Sequence, residues 1–308
     1  MTESMNKNTE IYRRTDLACE SPTDISNMSG VEYENEQRDG FEITKITIKD
    51  RDAARKIGRP CGTYVTVSGR SVVSINDEEA RALTEILRNE LSKMAEKLTN
   101  KKIDRDFKIL LVGLGNSSIT ADAVGPLVSE KITVTRHMKD YDERLFDLMR
   151  CCEVSSIRPG VLGQTGIESA AIVRSAALAV KADAVVAVDA LVAGSVERLA
   201  STIQISDTGI EPGSGIGNVR TSISKETVNV PVISVGVPTV VSSSTLVWDA
   251  LCLAHADISC LEKNLKTVLD NGRSFFVSPK ESDIVSERMS DIIADAFEGA
   301  FGVGSVLD

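Results

Sequence analysis

Two aspartates stand beside the most apolar and glycine-rich stretches of the chain, a setting suited to acid–base chemistry. Asp122 ends Ile109-Leu-Leu-Val-Gly-Leu-Gly-Asn-Ser-Ser-Ile-Thr-Ala-Asp122, and Asp189 follows the apolar run 184–188. Both apolar runs read as strands buried on both faces of a parallel sheet. Open α/β sheets keep their sites beyond the carboxyl ends of such strands, so one edge can hold both carboxylates. Two carboxylates a few ångströms apart cannot both ionise cheaply. One pKa is then expected to rise and the other to fall, with one proton shared. The ionised member can activate a water while the other protonates a leaving group. Simpler roles compete: Asp122 is placed to cap a helix from Ala123, and Asp189 to cap a short helix at Ala190 or pair with an arginine.

Other chemistries have weaker support. The Gly113-x-Gly115 loop partly fits a dinucleotide fingerprint, but Ser118 stands where the third glycine belongs. His137 and Met138, not an acidic residue, follow the run 132–136. A non-enzymatic nucleotide- or phosphate-binding module stays open as an alternative. Cys252 and His255 lie three apart, with Cys260 nearby, as metal ligands can. Their neighbours Leu251, Leu253 and Ile258 fit a core-facing helix as well. His137 has no motif partner, and vicinal Cys151-Cys152 suits neither a disulfide staple nor a zinc site. G-x-S-x-G is absent, and Ser242-Ser-Ser244 reads as a helix start.

The elements that position these residues alternate between strand and helix. Residues 1–40 are polar and aperiodic and read as a loosely held arm. Runs 41–49, 63–67 and 71–75 carry β-branched and aromatic residues and read as short strands of an antiparallel edge. Asn76 with Glu79 three residues on has capping-box spacing, and Leu83, Leu87, Leu91, Met94 and Leu98 form one helical stripe. Strands are expected at 107–112, 132–135, 184–188, 202–206 (half-exposed, by its alternation) and 231–237. Helices are expected at 123–131, around Leu145, at 168–181 and 243–256, and from Ser282, where Val285, Met289, Ile292 and Ala296 share one side. Stretch 139–158 is charged and irregular, 159–166 is turn-rich, and four glycines and a proline in 207–218 make a shaped loop. The sum is a single α/β domain: a mostly parallel central sheet with helices on both faces and a small antiparallel edge.

Composition narrows the function classes. The 308 residues are 42% hydrophobic and 26% charged, an ordinary globular balance. A net charge of −10 disfavours nucleic acid and anionic membrane as partners. No stretch is long and apolar enough for a membrane span, and six cysteines without C-x-x-C spacing read as free thiols of a reducing cytoplasm.

Several stretches together resemble the spore germination proteases of endospore-forming bacteria. They are Arg14-Thr-Asp-Leu-Ala18, Leu111-Val-Gly-Leu-Gly-Asn-Ser-Ser-Ile-Thr-Ala-Asp-Ala-Val-Gly-Pro126, Arg158-Pro-Gly-Val-Leu-Gly-Gln-Thr-Gly166, Val188-Asp-Ala-Leu191 and Asp207-Thr-Gly-Ile-Glu-Pro-Gly-Ser-Gly-Ile-Gly-Asn218. The resemblance implies an atypical aspartic endopeptidase, distantly similar to hydrogenase maturation proteases, that degrades small acid-soluble spore proteins during germination. It places the two essential aspartates at Asp122 and Asp189. It also implies a homotetrameric zymogen of the spore core that removes its own N-terminal arm. The family prefers an acidic residue before the cut, a hydrophobic one after it, and then alanine. Asp16-Leu17-Ala18 fits that order, so residues 1–16 are expected to be a propeptide, cut at Asp16–Leu17, and 17–308 the peptidase domain. Removing 1–16 leaves the net charge unchanged, since Lys7, Arg13 and Arg14 balance Glu3, Glu10 and Asp16. Activation is therefore expected to act through sterics or ordering.

Hydrogenase maturation proteases hold nickel with two carboxylates and a histidine, which leaves a nickel-dependent maturation protease as an alternative. Neither histidine of this chain follows the strand that runs into Pro238-Thr239, so a metal-independent, cofactor-free dyad is expected. Backbone N–H groups of loop 113–118 (Gly115 and Asn116) or of 207–218 (Gly213) are candidates to bind substrate and its oxyanion. Arg158 and Arg220 flank these loops and are candidates to read the acidic residue before the cut.

Overall fold

The computed structural model describes residues 15–21, 25–213, 220–255 and 275–302. Its centre is one mixed sheet, ordered β1-β2-β3-β7-β8-β6-β4-β5, with β9 paired to β8. The strands are β1 (Val31–Arg38), β2 (Phe41–Ile48), β3 (Gly62–Ser68), β4 (Lys108–Gly113), β5 (Glu153–Ile157), β6 (Ala184–Ala193), β7 (Thr202–Ser206), β8 (Val232–Ser242) and β9 (Phe276–Val277). Strands β5, β4, β6 and β8 run parallel, and β7, β3, β2 and β1 continue antiparallel. The parallel centre and the helices on both faces are as the sequence predicts. The antiparallel side is larger than expected, at four strands.

Ten described helices surround the sheet: α1 (Arg51–Ile57), α2 (Asp77–Thr99), α3 (Val124–Lys131), α4 (Arg136–Tyr141), α5 (Glu143–Met149), α6 (Leu162–Thr165), α7 (Ser169–Val180), α8 (Lys225–Val228), α9 (Ser243–Leu253) and α10 (Ser282–Ala300). The capping box at Asn76 is present: Glu79 N donates to Asn76 Oδ1 and Asn76 N to Glu79 Oε2, each at 2.9 Å. The α2 stripe is buried at Leu83, Leu87, Leu91 and Met94, and α10 buries Val285, Met289, Ile292 and Ala296. Both pack on one face of the sheet around Phe107, Phe297 and Phe301. On the other face α7 buries Ala170, Val173 and Ala177 against Leu110, Val112, Val185 and Ala187.

Local corrections have local causes. Residues 132–135 form no strand. Instead Thr135 is fully buried, its hydroxyl donating to Cys152 O (2.6 Å) and accepting from Val154 N (2.9 Å). Residues 71–75 form turns, with Val72 N donating to Ala200 O (2.6 Å). The arm is less loose than its composition suggests. Residues 31–38 make edge strand β1, whose side chains stay largely exposed, and Leu17 and Ala18 are buried. The charged stretch hides β5 as well as α4 and α5, and α1 lies between β2 and β3. Strand β7 is buried at every residue rather than half-exposed. No helix among the described residues is long and apolar enough to cross a membrane.

Candidate active site

Asp122 and Asp189 come together because neighbouring parallel strands deliver them. Strand β4 ends at Gly113, a loop follows, and Asp122 closes the short 3-10 helix Thr120–Asp122. That turn is tied down from two sides. Thr239 on β8 donates its hydroxyl to Ala121 O (2.6 Å), and Ser286 on α10 donates to Thr120 O (3.0 Å). Glycine at 115 lets the loop close, since at φ +114° a Cβ would lie 2.2 Å from Asp122 O. The space beside Gly115 is filled by Asp122 itself. Asp189 sits inside β6 rather than past its end, opposite Gly236 of β8.

Neither aspartate serves as a helix cap. Ala123, without a side-chain bond, is the N-cap of α3. Asp122 instead accepts from Asn116 N at Oδ2 (2.8 Å). Asp189 Oδ1 accepts from the adjoining Ala190 N (2.9 Å). Both side chains line one cleft of about 410 Å³ with apolar walls that include Ile119, Leu162 and Leu191.

Both carboxyls are harder to ionise than usual. Asp189 is 5% exposed, and burial holds its pKa well above the ordinary carboxylate range. The Asp122 and Asp16 carboxylates push it the same way, against the Ala190 N–H. Burial also raises Asp122, opposed by the Asn116 N–H. The sequence leads one to expect one value up and one down. Instead both rise, because the apolar cleft desolvates both, with Asp189 the more enclosed.

The N-terminal arm enters this cleft. Asp16 lines it, and its backbone pairs with Val192 of β6: Asp16 N donates to Val192 O (2.8 Å). Val192 N in turn donates to Asp16 Oδ2 (2.9 Å). A register shift between Leu191 and Val192 interrupts the β6–β8 ladder at this point, a common way for a sheet to re-aim its edge groups. Leu17 and Ala18 are each 1% exposed. Arg59 donates to the Thr15 carbonyl, and Gly194 N to Glu20 Oε2 (2.7 Å).

The other expected site residues divide. Gly115, Asn116, Gly213 and Arg220 line the cleft with the aspartates, Arg220 standing 4.0 Å from Glu168. Arg158 is outside that lining and pairs with Glu130. The N–H groups of Leu114, Asn116 and Ser118 donate to Val188 O, to Asp122 and to Asn116 Oδ1 respectively. Residues 214–218 of the second glycine-rich loop, Cys260 and residues 1–14 lie outside the described residues. His137 is exposed on α4, and Leu253 beside Cys252 is 80% exposed, unlike a core face. Among the described residues no group of three or more His, Cys, Asp or Glu side chains is placed to hold a metal.

The sequence pointed to neither Val192, Thr239 nor Gln204 as part of this site. Only Gln204 leaves a trace, in the alternation Thr202-Ile-Gln-Ile-Ser206 that sets three polar side chains on one face of a strand.

The fold is an α/β protein in which a buried aspartate, Asp189, and a half-buried one, Asp122, line one cleft beside the central parallel strands, with Asp16 of the arm at its wall. The germination protease family profile matches residues 8–266. A germination protease of Caldanaerobacter subterraneus subsp. tengcongensis is 41% identical over 255 residues, 82% of this chain and 74% of that protein. The germination proteases of Bacillus cytotoxicus and Clostridium acetobutylicum are 38% and 36% identical, covering 94% and 91% of this chain and 80% and 92% of theirs. The chain belongs to the germination protease family and is a protease.

Proposed function

We propose that this protease is a self-processing endopeptidase in which Asp122 and Asp189 act together on one water. The supporting observation is that Asp16 lines the same cleft as both aspartates, with Leu17 buried next to it in the chain. Asp122, less enclosed and bonded to an N–H, is the ionised base that takes a proton from water. Asp189, held neutral by burial and by its neighbour's charge, is the acid that protonates the departing amine. The acidic residue before the cut is read by the Val192 N–H, with the hydrophobic residue after it buried as Leu17 is.

Cleavage at Asp16–Leu17 releases 1–16 as the propeptide and leaves 17–308 as the working enzyme. By resemblance its substrates are small acid-soluble spore proteins, its location the spore core and its assembly a homotetramer. The test is incubation of purified full-length protein at mildly acidic pH, followed by intact mass spectrometry. The wild type should lose residues 1–16, whereas Asp122→Asn and Asp189→Asn should stay full-length while melting as folded proteins. Substantial cutting by either variant would remove the dyad. Full inhibition by a chelator, reversed by one metal, would favour the nickel-type alternative.

A further inference from the structure

The carboxamide of Gln204 reaches across the bond proposed to be cut. Its Oε1 accepts from Ala18 N (2.7 Å) and its Nε2 donates to Asp16 O (3.3 Å). That carbonyl oxygen belongs to the Asp16–Leu17 peptide itself. The bond from Ala18 N fixes which end of the carboxamide is oxygen, so the NH₂ has to face the Asp16 carbonyl. Gln204 is 6% exposed on a fully buried strand, which restrains the side chain in this position.

Sheet register links this side chain to Asp189. Gln204 of β7 pairs with Gly236 of β8, and Gly236 pairs with Asp189 of β6. Paired residues project to the same face, so Asp189 and Gln204 stand in one row, about 10 Å apart at Cα by ordinary strand spacing. The residue between them has no side chain. A Cβ at Gly236 would lie 2.2 Å from Leu191 Cδ1, so Leu191 occupies that gap. Asp16 borders the aspartate cleft and also a second cavity of about 390 Å³ that Gln204 lines. A scissile peptide held here has the carboxylates on one side and an amide donor at its oxygen.

We propose that Gln204 is a catalytic residue of this protease, the donor that stabilises the oxyanion formed on the scissile carbonyl. The assignment rests on the dyad reading above. Water oxygen bonds to the Asp16 carbonyl carbon, its proton passes to Asp122, and the C=O π pair moves onto oxygen, which accepts from Gln204 Nε2. When the intermediate collapses the C–N bond breaks and the Leu17 nitrogen takes a proton from Asp189. Asp16 then carries a carboxyl group and Leu17 an amine. The proton on Asp122 restores that of Asp189, through solvent or between the two. At 3.3 Å the bond is long for the ground-state carbonyl, and shortening as charge builds favours the transition state selectively.

Gln204→Glu tests this in the full-length chain, because a carboxylate still accepts from Ala18 N but has no N–H to offer the oxyanion. Self-cleavage, followed by intact mass spectrometry, should slow by about 10²–10³-fold, the usual loss for one such donor. A peptide with the sequence of residues 11–21, offered in trans, should show that loss in kcat with KM within a few-fold. Lowering pH should recover part of the rate, because the introduced carboxyl regains an O–H donor once it is protonated. Cutting within threefold of wild type, or a loss carried wholly by KM, overturns the assignment. If Gln204→Glu does not fold, Gln204→Met is read by the same criteria, since it keeps the volume and removes the donor. Asp122→Asn and Asp189→Asn run in parallel separate the two ideas. If they are inactive while the Gln204 variants cut normally, only the role of Gln204 falls; if they still cut, the dyad falls.

Discussion

Gly115→Ala is the sharpest test of how the site is assembled. The backbone at 115 has φ +114°, a region costing a side-chain-bearing residue about 1–3 kcal/mol. The added methyl would also sit 2.2 Å from Asp122 O and 2.9 Å from Asp122 Oδ1. Restoring the 3.4 Å of ordinary contact moves the Asp122 turn by about 1.2 Å. That turn has little freedom, because Thr239 and Ser286 hold the two carbonyls before Asp122. A 1 Å misplacement of a catalytic group costs on the order of 10²-fold in rate, or about 2.7 kcal/mol of barrier. The expected result is a folded protein that melts lower and processes itself about a hundredfold more slowly, measured by mass spectrometry and thermal denaturation. Wild-type melting together with cleavage within threefold of wild type would refute the claim that close backbone approach at 115 sets the position of Asp122.

Burial of Asp189 makes a signed pH prediction, best made in Asp122→Asn protein so that self-cleavage does not intrude. The folded pKa is raised, so below about pH 4 both folded and unfolded chains hold the proton and no penalty exists. Above that the unfolded chain releases its proton while the folded one keeps it, so stability falls as pH rises towards the folded pKa. Adding Asp189→Asn should therefore give no gain at pH 3–4 and a stability gain that grows by up to about 1.4 kcal/mol per pH unit above it. A stability difference independent of pH in thermal melts would contradict this. Away from the site, Asn76→Ala removes one half of the α2 capping box and should cost ~1 kcal/mol in denaturant unfolding without changing cleavage. A loss below ~0.3 kcal/mol would show the box to be dispensable.

What was legible in the sequence follows the range of the forces involved. The α2 start, the α2 and α10 stripes and the apolar cores of β4 and β6 depend on neighbours within a few positions, so composition and period reveal them. Strand β1 was not legible, because an edge strand with exposed side chains has no apolar period to read. Strand β5 carries only two apolar residues and lies in a charged stretch, although its partner β4 makes it a strand. For β7 the alternation was visible, but its polar face read as solvent-facing. Gln204 on that face is covered by the arm it bonds, 186 residues away from Ala18.

By itself the sequence determined the α/β class, the long helices and which two aspartates adjoin the central apolar runs, since each is a matter of local pattern. It also carried, through the motifs shared with germination proteases, the Asp16-Leu17-Ala18 order. Only the tertiary structure decided that Asp122 and Asp189 share a cleft, that burial lifts both their pKa values, and that Val192 and Gln204 meet the arm. Register across β6, β8 and β7 sets those meetings, and register comes from strands pairing over long stretches of chain.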